Sequence, residues 1–291
     1  MKPEIVEINA GNRELVYEFL NFIFQIFPGA KFLEWWERGF WGDYYKPFSI
    51  VRQNKIISNV SASLMDVIIG GEKYKAVQIG AVGTIPEYRN QGLSRILMDY
   101  VLNKYESEVD LFFLFANQNV LEFYPKFGFK PIPEKIFQLD SDIPAGKFSA
   151  RKLNLSNFDD YNLLQVLIKE RQHVTESFGA ENYGAITMWH IFNSYKDSLY
   201  YLTGEDALII KKEKKNEMHI RDIIYRKPFD ILPALSKIIE SETMNRIIYY
   251  FPPDKISYPY DTAVDYKSYL FIKSKIELRG DQLKFPETAK T

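Results

Sequence analysis

The chain has 291 residues, 46% of them hydrophobic and 16% aromatic, enough to bury a large core and to suggest about two domains. Its 37 basic and 38 acidic residues leave a formal charge of −1, so no overall field draws it to nucleic acid or to an anionic membrane. It has no cysteine, which excludes disulfides, thiol nucleophiles and thiolate metal sites.

The start, MKPEIVEINA, has dispersed charges and no apolar segment of signal-peptide length. No later run approaches the ~18 apolar residues of a membrane span, so we expect a cytoplasmic chain with no membrane partner. From Asn12 to Phe27, apolar residues recur at helical spacing until Pro28-Gly29 breaks the pattern. Phe48–Arg52, Ile56–Ile69 and Tyr74–Ile85 are rich in β-branched residues. Gln53-Asn54-Lys55 and Gly70-Gly71 separate them, which predicts three antiparallel strands joined by hairpins. Leu93, Ile96, Leu97, Tyr100 and Val101 then mark an amphipathic helix that begins one residue after Gly92. Leu111–Phe115 reads as a buried strand, followed by a short helical pattern through Val120, Leu121 and Tyr124 that ends at Gly128.

The polar, turn-rich stretch Asp140–Gly146 suggests a boundary, giving domains 1–146 and 147–291. The second half repeats the element order of the first: a helix over Asn157–Gln172, strands near Leu199–Leu202, Ala207–Lys212 and His219–Tyr225, a helix over Ile231–Ile239, and a strand over Arg246–Phe251. The expected fold class is α/β (α+β), with two tandem units, each a mixed and mostly antiparallel sheet flanked by helices. The second unit is degenerate: where the first passes from strand to helix through a glycine, the second does so through Arg226-Lys227-Pro228.

That junction in the first half, IPEYRNQGLSRIL (85–97), has chemical meaning. A helix that begins just after a glycine offers unpaired backbone N–H groups and a partial positive charge, and Arg89 and Arg95 add cationic donors. A phosphate or pyrophosphate suits such a place. An ordinary strand-to-helix turn with surface arginines satisfies the same spacing. The loop lacks both the Gly-Lys-Ser/Thr ending of a P-loop and the three-glycine dinucleotide fingerprint.

Val82-x-Thr84-x-Pro86-x-Tyr88-Arg89-x-x-Gly92-x-Ser94, with Asn117-x-x-Val120-x-x-Phe123-Tyr124-x-x-x-Gly128-Phe129 downstream, resembles the two signature segments of the GNAT superfamily of N-acetyltransferases. Ser94 stands where glycine or alanine is usual, a small residue still. The resemblance covers roughly residues 1–140. Within that superfamily, the run from Ile56 to Leu93 is most similar to the N-terminal domain of the enhanced-intracellular-survival acetyltransferases. Those proteins carry a second, atypical GNAT domain and use their C-terminal end in the active site. Their third, sterol-carrier-like domain has no counterpart in these residues.

The resemblance implies acetyl-CoA as cosubstrate and no metal. Val82 and Thr84 would pair with the pantetheine arm through their backbone, as an added strand does. The backbone of Asn90, Gln91, Gly92, Leu93 and Ser94, with Arg89 beside it, would hold the pyrophosphate, and Asn117 would contact the cofactor. Tyr124 would be the general acid that protonates the departing thiolate, in a direct transfer to a small-molecule or peptide amine through a ternary complex. Without the resemblance, Tyr124 reads as a core tyrosine and Asn117 as a helix cap. A non-catalytic acyl-CoA-binding sensor is the rival reading from another class. Glu34, Glu37, Asp43, Asp66 and Glu72 are candidate bases by residue type alone. The aromatic run Phe32–Trp41 either packs in the core or lines the acceptor site, where tryptophan faces with Glu34 and Glu37 would favour a cationic amine. His173, His190 and His219 have no metal-ligand spacing and read as structural or exposed. The run Lys211–Lys215 reads as a solvated hairpin.

Overall fold

The computed structural model describes residues 3–144, 146–240, 243–256, 260–278 and 283–291; Ala145, inside the expected boundary, lies outside them. The fold is α/β (α+β), two mixed sheets flanked by helices. It begins with strand β1 (Ile5–Glu7) and helix α1 (Arg13–Ile26). Asn12 caps α1 by accepting the Leu15 N–H at 3.2 Å, and Val16, Phe19, Phe22 and Ile23 bury one face. A short helix α2 (Leu33–Glu37) leads to β2 (Tyr45–Arg52), β3 (Lys55–Ile69) and β4 (Glu72–Thr84). The hairpin turns need positive φ, which Gln53 and Asn54 supply at 49° and 60° and Gly70 and Gly71 at 60° and 81°. Helix α3 (Leu93–Tyr105), β5 (Leu111–Phe115) and β6 (Lys130–Ile132) follow. The expected helix after β5 is instead two 3₁₀ turns, Gln118–Val120 and Tyr124–Phe127. Pro125 lacks the N–H that a continuous helix there would need.

The rest comprises β7 (Lys135–Pro144), β8 (Arg151–Lys152), α4 (Phe158–Glu170), β9 (Phe178–Glu181), α5 (Gly184–His190), β10 (Leu199–Leu202), β11 (Ala207–Lys214), β12 (Glu217–Tyr225), α6 (Ile231–Ser236), β13 (Thr243–Tyr249), β14 (Asp261–Val264) and β15 (Leu270–Ser274). The first sheet runs β1-β2-β3-β4-β5-β15-β6, with β9 also on β3; the second runs β14-β7-β13-β12-β11-β10-β8. The sheets exchange strands: β7, before residue 146, joins the second, while β9 and β15, after it, join the first. Each sheet has one parallel crossover, β4-α3-β5 and β12-α6-β13. Helices of the two halves share one core, in which Phe19, Trp35 and Ile23 cluster with Leu164, Met188 and Ile210. Burying each such side chain contributes roughly 1.5–3 kcal/mol. Lys211 departs from the solvated reading: it is 1% exposed, paired with Glu213 and Glu240 and lying over the Tyr200 ring.

Candidate functional site

The site begins where two parallel strands part. The ladder between β4 and β5 runs from Ala76↔Leu111 to Ile79↔Leu114 and stops, so Gly80–Thr84 continues along β3 alone. The freed stretch is bulged. Asn59 faces Gly83 and Ser61 faces Gly80, which leaves Ala81 and Val82 opposite Val60, and Ala81 takes a left-handed φ of 47°. A non-glycine residue holds that conformation only where its surroundings impose it. Here Asn59 Nδ2 donates to the Ala81 carbonyl at 2.9 Å and to Ser61 Oγ at 3.0 Å. Ser49 Oγ donates to Asn59 Oδ1 at 2.8 Å and the Tyr45 hydroxyl to Ser61 Oγ at 3.1 Å. All four side chains are buried, so the polar run in β3 is a bracket for the bulge.

Beyond Thr84 the chain makes one 3₁₀ turn at Pro86–Tyr88 and enters α3 through two left-handed residues, Asn90 at φ 61° and Gly92 at φ 74°. No side chain caps α3, which leaves its first N–H groups for an anion. Asn90, Gln91 and Gly92 are exposed, whereas Leu93 is buried and anchors the helix. The Ser94 hydroxyl lies 2.8 Å from the Thr84 hydroxyl, which lies 2.8 Å from Ser58 Oγ. The serine in the usual glycine or alanine position therefore ties the helix to the strand end. Arg89 is exposed, and its Nε donates to the Thr84 carbonyl at 3.1 Å, which swings the guanidinium back across the loop.

Tyr124 is 6% exposed and packs with Val82, Leu93, Leu114 and Ala116 in one apolar cluster, so β4, α3 and β5 converge on it. Its ring meets Phe123 at 5.3 Å and Phe271 of β15 at 5.8 Å. Burial pushes its phenol up to about 12, so it stays protonated at neutral pH. Among the described residues its hydroxyl has no hydrogen-bond partner. Asn117 is exposed just past β5, and its side chain does not cap the following turn.

On the other face of β4, Gly80 and Ala81 open onto a narrow cleft of about 40 Å³ lined also by Phe32, Trp35, Tyr44, Tyr45, Ile186, Trp189, Lys290 and Thr291. Of the aromatic run, Trp36 and Trp41 pack in the core, while Phe32 and Trp35 line the cleft. None of the five candidate carboxylates lines it. Glu34 is held low by Lys196 at 2.6 Å and Arg38 at 3.1 Å, which outweigh the opposing effect of burial. Glu72 accepts from the Tyr74 hydroxyl at 2.6 Å. Four cleft residues, Ile186, Trp189, Lys290 and Thr291, come from the second half, where no motif marks them. Thr291 reaches the end of the β4 ladder, its N–H and hydroxyl both donating to Gln78 Oε1. A Cβ on Gly80 would stand 3.2 Å from Thr291 Oγ1.

A free strand edge beside an uncapped helix N-terminus has the unpaired backbone groups that could hold an elongated, phosphate-bearing ligand, with a separate cleft behind the strand. Residues 4–132 match the family described as acetyltransferase (GNAT) domain. The fold is shared with a probable N-acyltransferase from Enterococcus faecalis (15% identity, 94% of this chain and 72% of that one, TM-score 0.63). It is shared also with a GCN5-related N-acetyltransferase from Kribbella flavida (12%, 94% and 71%, 0.60) and with Eis1 from Mycobacterium abscessus (11%, 93% and 73%, 0.62). Among curated protein sequences none matches. Acyl transfer is the general chemistry of this family. Among the described residues no helix is long and apolar enough to cross a membrane.

Proposed function

We propose that the protein is an acetyl-CoA-dependent N-acetyltransferase that moves the acetyl group directly to a primary amine in a ternary complex. The observation that carries this reading is the convergence on one point of the unpaired, bulged end of β4, the uncapped start of α3 and the buried phenol of Tyr124. Pantetheine lies along Val82 and Thr84. The pyrophosphate sits on the backbone of Asn90–Ser94 beside Arg89, with Asn117 at the cofactor's flank. The thioester carbon then reaches the bulge, where the Val82 N–H stabilises the oxyanion. The amine, deprotonated to water, attacks from the cleft side. The C–N bond forms, the C–S bond breaks and Tyr124 gives its proton to the leaving thiolate, while the acylated nitrogen gives up its extra proton to water and the phenol is reprotonated from solvent. Residues 1–146 carry this chemistry, and 147–291 form a degenerate unit that supplies one wall of the cleft.

Release of free coenzyme A, followed over a panel of amines, tests the activity. Tyr124→Phe should lower turnover by about 10²–10⁴-fold while leaving the thermal stabilisation by acetyl-CoA intact. Loss of that stabilisation instead would remove Tyr124 from the acid's role. Stabilisation without turnover on any amine would favour the sensor.

A further inference from the structure

We propose that Lys290 is a self-acetylation site: without another acceptor, its side-chain amine takes the acetyl group from acetyl-CoA bound to the same chain. This rests on the acetyl-transfer reading, which brings the thioester carbon to the bulge at Gly80–Val82.

The residues on either side of Lys290 are pinned to β4. Gln78 Nε2 donates to the Ala289 carbonyl at 3.1 Å, and Gln78 Oε1 accepts the Thr291 N–H. Gly80 lies two residues further along that strand, about 7 Å away and within the sweep of a four-carbon lysine stem. His190 Nε2 donates to the Lys290 carbonyl at 2.7 Å and fixes the backbone from another side. The Lys290 ammonium lies 3.9 Å over the ring of Phe115, the first residue of β5 past the ladder and so across the gap from Gly80. Phe115 packs with Phe113, Phe285 and Ala289, whereas Leu114 packs under α3. The ammonium therefore stands on the face of the parted strands opposite α3, the side from which the amine attacks.

The cleft there has about 40 Å³ free. That is little more than the ~30 Å³ share of one water molecule in the liquid. An amine already built into the wall needs room only for the acetyl group, and Lys290 is the lysine among the lining residues, its side chain 21% exposed. Glu134, fully buried, accepts from Lys290 Nζ at 2.9 Å and offers a first station for the proton. Desolvation lowers the ammonium from its ordinary 10.5 against the pull of Glu134, which favours the neutral, nucleophilic amine. Lys290 gives one proton through Glu134 to water, and Nζ attacks the thioester carbon. The C–N bond forms, the C–S bond breaks and the acylated nitrogen gives a second proton to water. Tyr124 protonates the thiolate and is reprotonated from solvent, so one proton is released per acetyl group.

The test incubates the full chain with acetyl-CoA and no added amine, and follows the position of acetyl groups by peptide mass spectrometry. We expect Lys290 to be acetylated about 10²-fold or more faster than the exposed Lys31 and Lys215, at a rate per chain that does not change with protein concentration. Tyr124→Phe should slow the reaction at Lys290 by about 10²-fold or more and leave the background at Lys31 and Lys215 unchanged. Lys290→Arg, which keeps a cation for Glu134, should gain no rapid acetyl group anywhere in the chain. Acetylation of Lys290 no faster than of Lys31, or as fast in Tyr124→Phe as in the wild type, overturns the proposal. A rate that rises with protein concentration overturns transfer within one chain. Coenzyme A released with an added amine while Lys290 stays unmodified overturns this inference and leaves acetyl transfer standing. If no coenzyme A is released with or without an amine, the acetyl-transfer reading fails, and this one with it.

Discussion

The two parallel crossovers use the same backbone device and put it to opposite ends. β4 pairs with β5 over four positions and then runs on as Gly80-Ala81-Val82-Gly83-Thr84; β12 pairs with β13 over four and runs on as Arg221-Asp222-Ile223-Ile224-Tyr225. Both overhangs are bulged, since Arg221 is the extra residue between Ile210↔Asp222 and Lys211↔Ile220. In the second half the chain itself fills the gap. Arg221 pairs with Glu287 at 2.7 Å and lies 3.6 Å over the Tyr250 ring. Asp222 accepts a two-pronged bond from Arg171 at 2.7 and 2.8 Å and another from Thr288. The Glu287 N–H donates to the Tyr250 carbonyl at 3.1 Å. Small residues leave a parted ladder available to a ligand, whereas charged ones close it with protein. The segment that plugs the second gap continues to the first, where the Ala289 carbonyl accepts from Gln78 Nε2 at 3.1 Å.

The comparison breaks hardest at Asp222. Asp222→Ala leaves Arg171, 5% exposed, as a buried unpaired cation, and we expect a loss of about 3–5 kcal/mol in urea unfolding. A loss below about 1 kcal/mol would mean that the plug is not held by charge. Next is Asn59→Ala, which strips the bracket from the Ala81 bulge and should cost about 1–3 kcal/mol. It should also lower turnover more than acetyl-CoA stabilisation, because the bulge aims the backbone at the acyl carbon. Unchanged turnover in a folded protein would separate the bulge from the chemistry. Gly92→Ala is milder. A Cβ there meets nothing within 4 Å, so the cost is the left-handed φ alone, about 1 kcal/mol, and cofactor affinity should fall with it. At the matching junction Lys227→Ala should leave acetyl-CoA affinity unchanged, and an equal loss there would assign the cofactor to the wrong half.

Much of this contrast could be read before the structure. The hairpins, α3 and β5 follow from local pattern, and the missing glycine at Arg226–Pro228 already set the second crossover apart. β9 and β15 were not legible, because strands of four and five residues carry little periodicity and their places are decided by distant partners. The bracket had a signal that went unread: Ser58, Asn59, Ser61 and Ser63 are polar on both faces of a strand otherwise built for burial. A buried polar run marks a network, and a network in mid-strand marks a special backbone. The cleft wall had no local signal, since Ile186, Trp189 and Lys290 meet β4 only through the strand exchange.

The smallest effect expected is on pH dependence, and it sets the two gaps apart. Burial tends to raise the Glu287 carboxyl, but the Arg221 guanidinium and the Tyr195 hydroxyl outweigh it and hold the group below its ordinary 4.5. A folded-state value below the unfolded one gives stability that is present above about pH 4.5 and lost as pH falls through the folded value. The wild type should therefore lose stability in acid more steeply than Glu287→Gln, whose plug cannot titrate. Tyr124 in the first gap has the opposite sign. Burial raises it, so its proton stays in place far above neutrality and kcat should show no alkaline decline from this group up to about pH 10. Acid melting curves that coincide for wild type and Glu287→Gln would release the plug from its charge. An alkaline fall in kcat near pH 8 that vanishes in Tyr124→Phe would show that the phenol is far more acidic than its buried position requires.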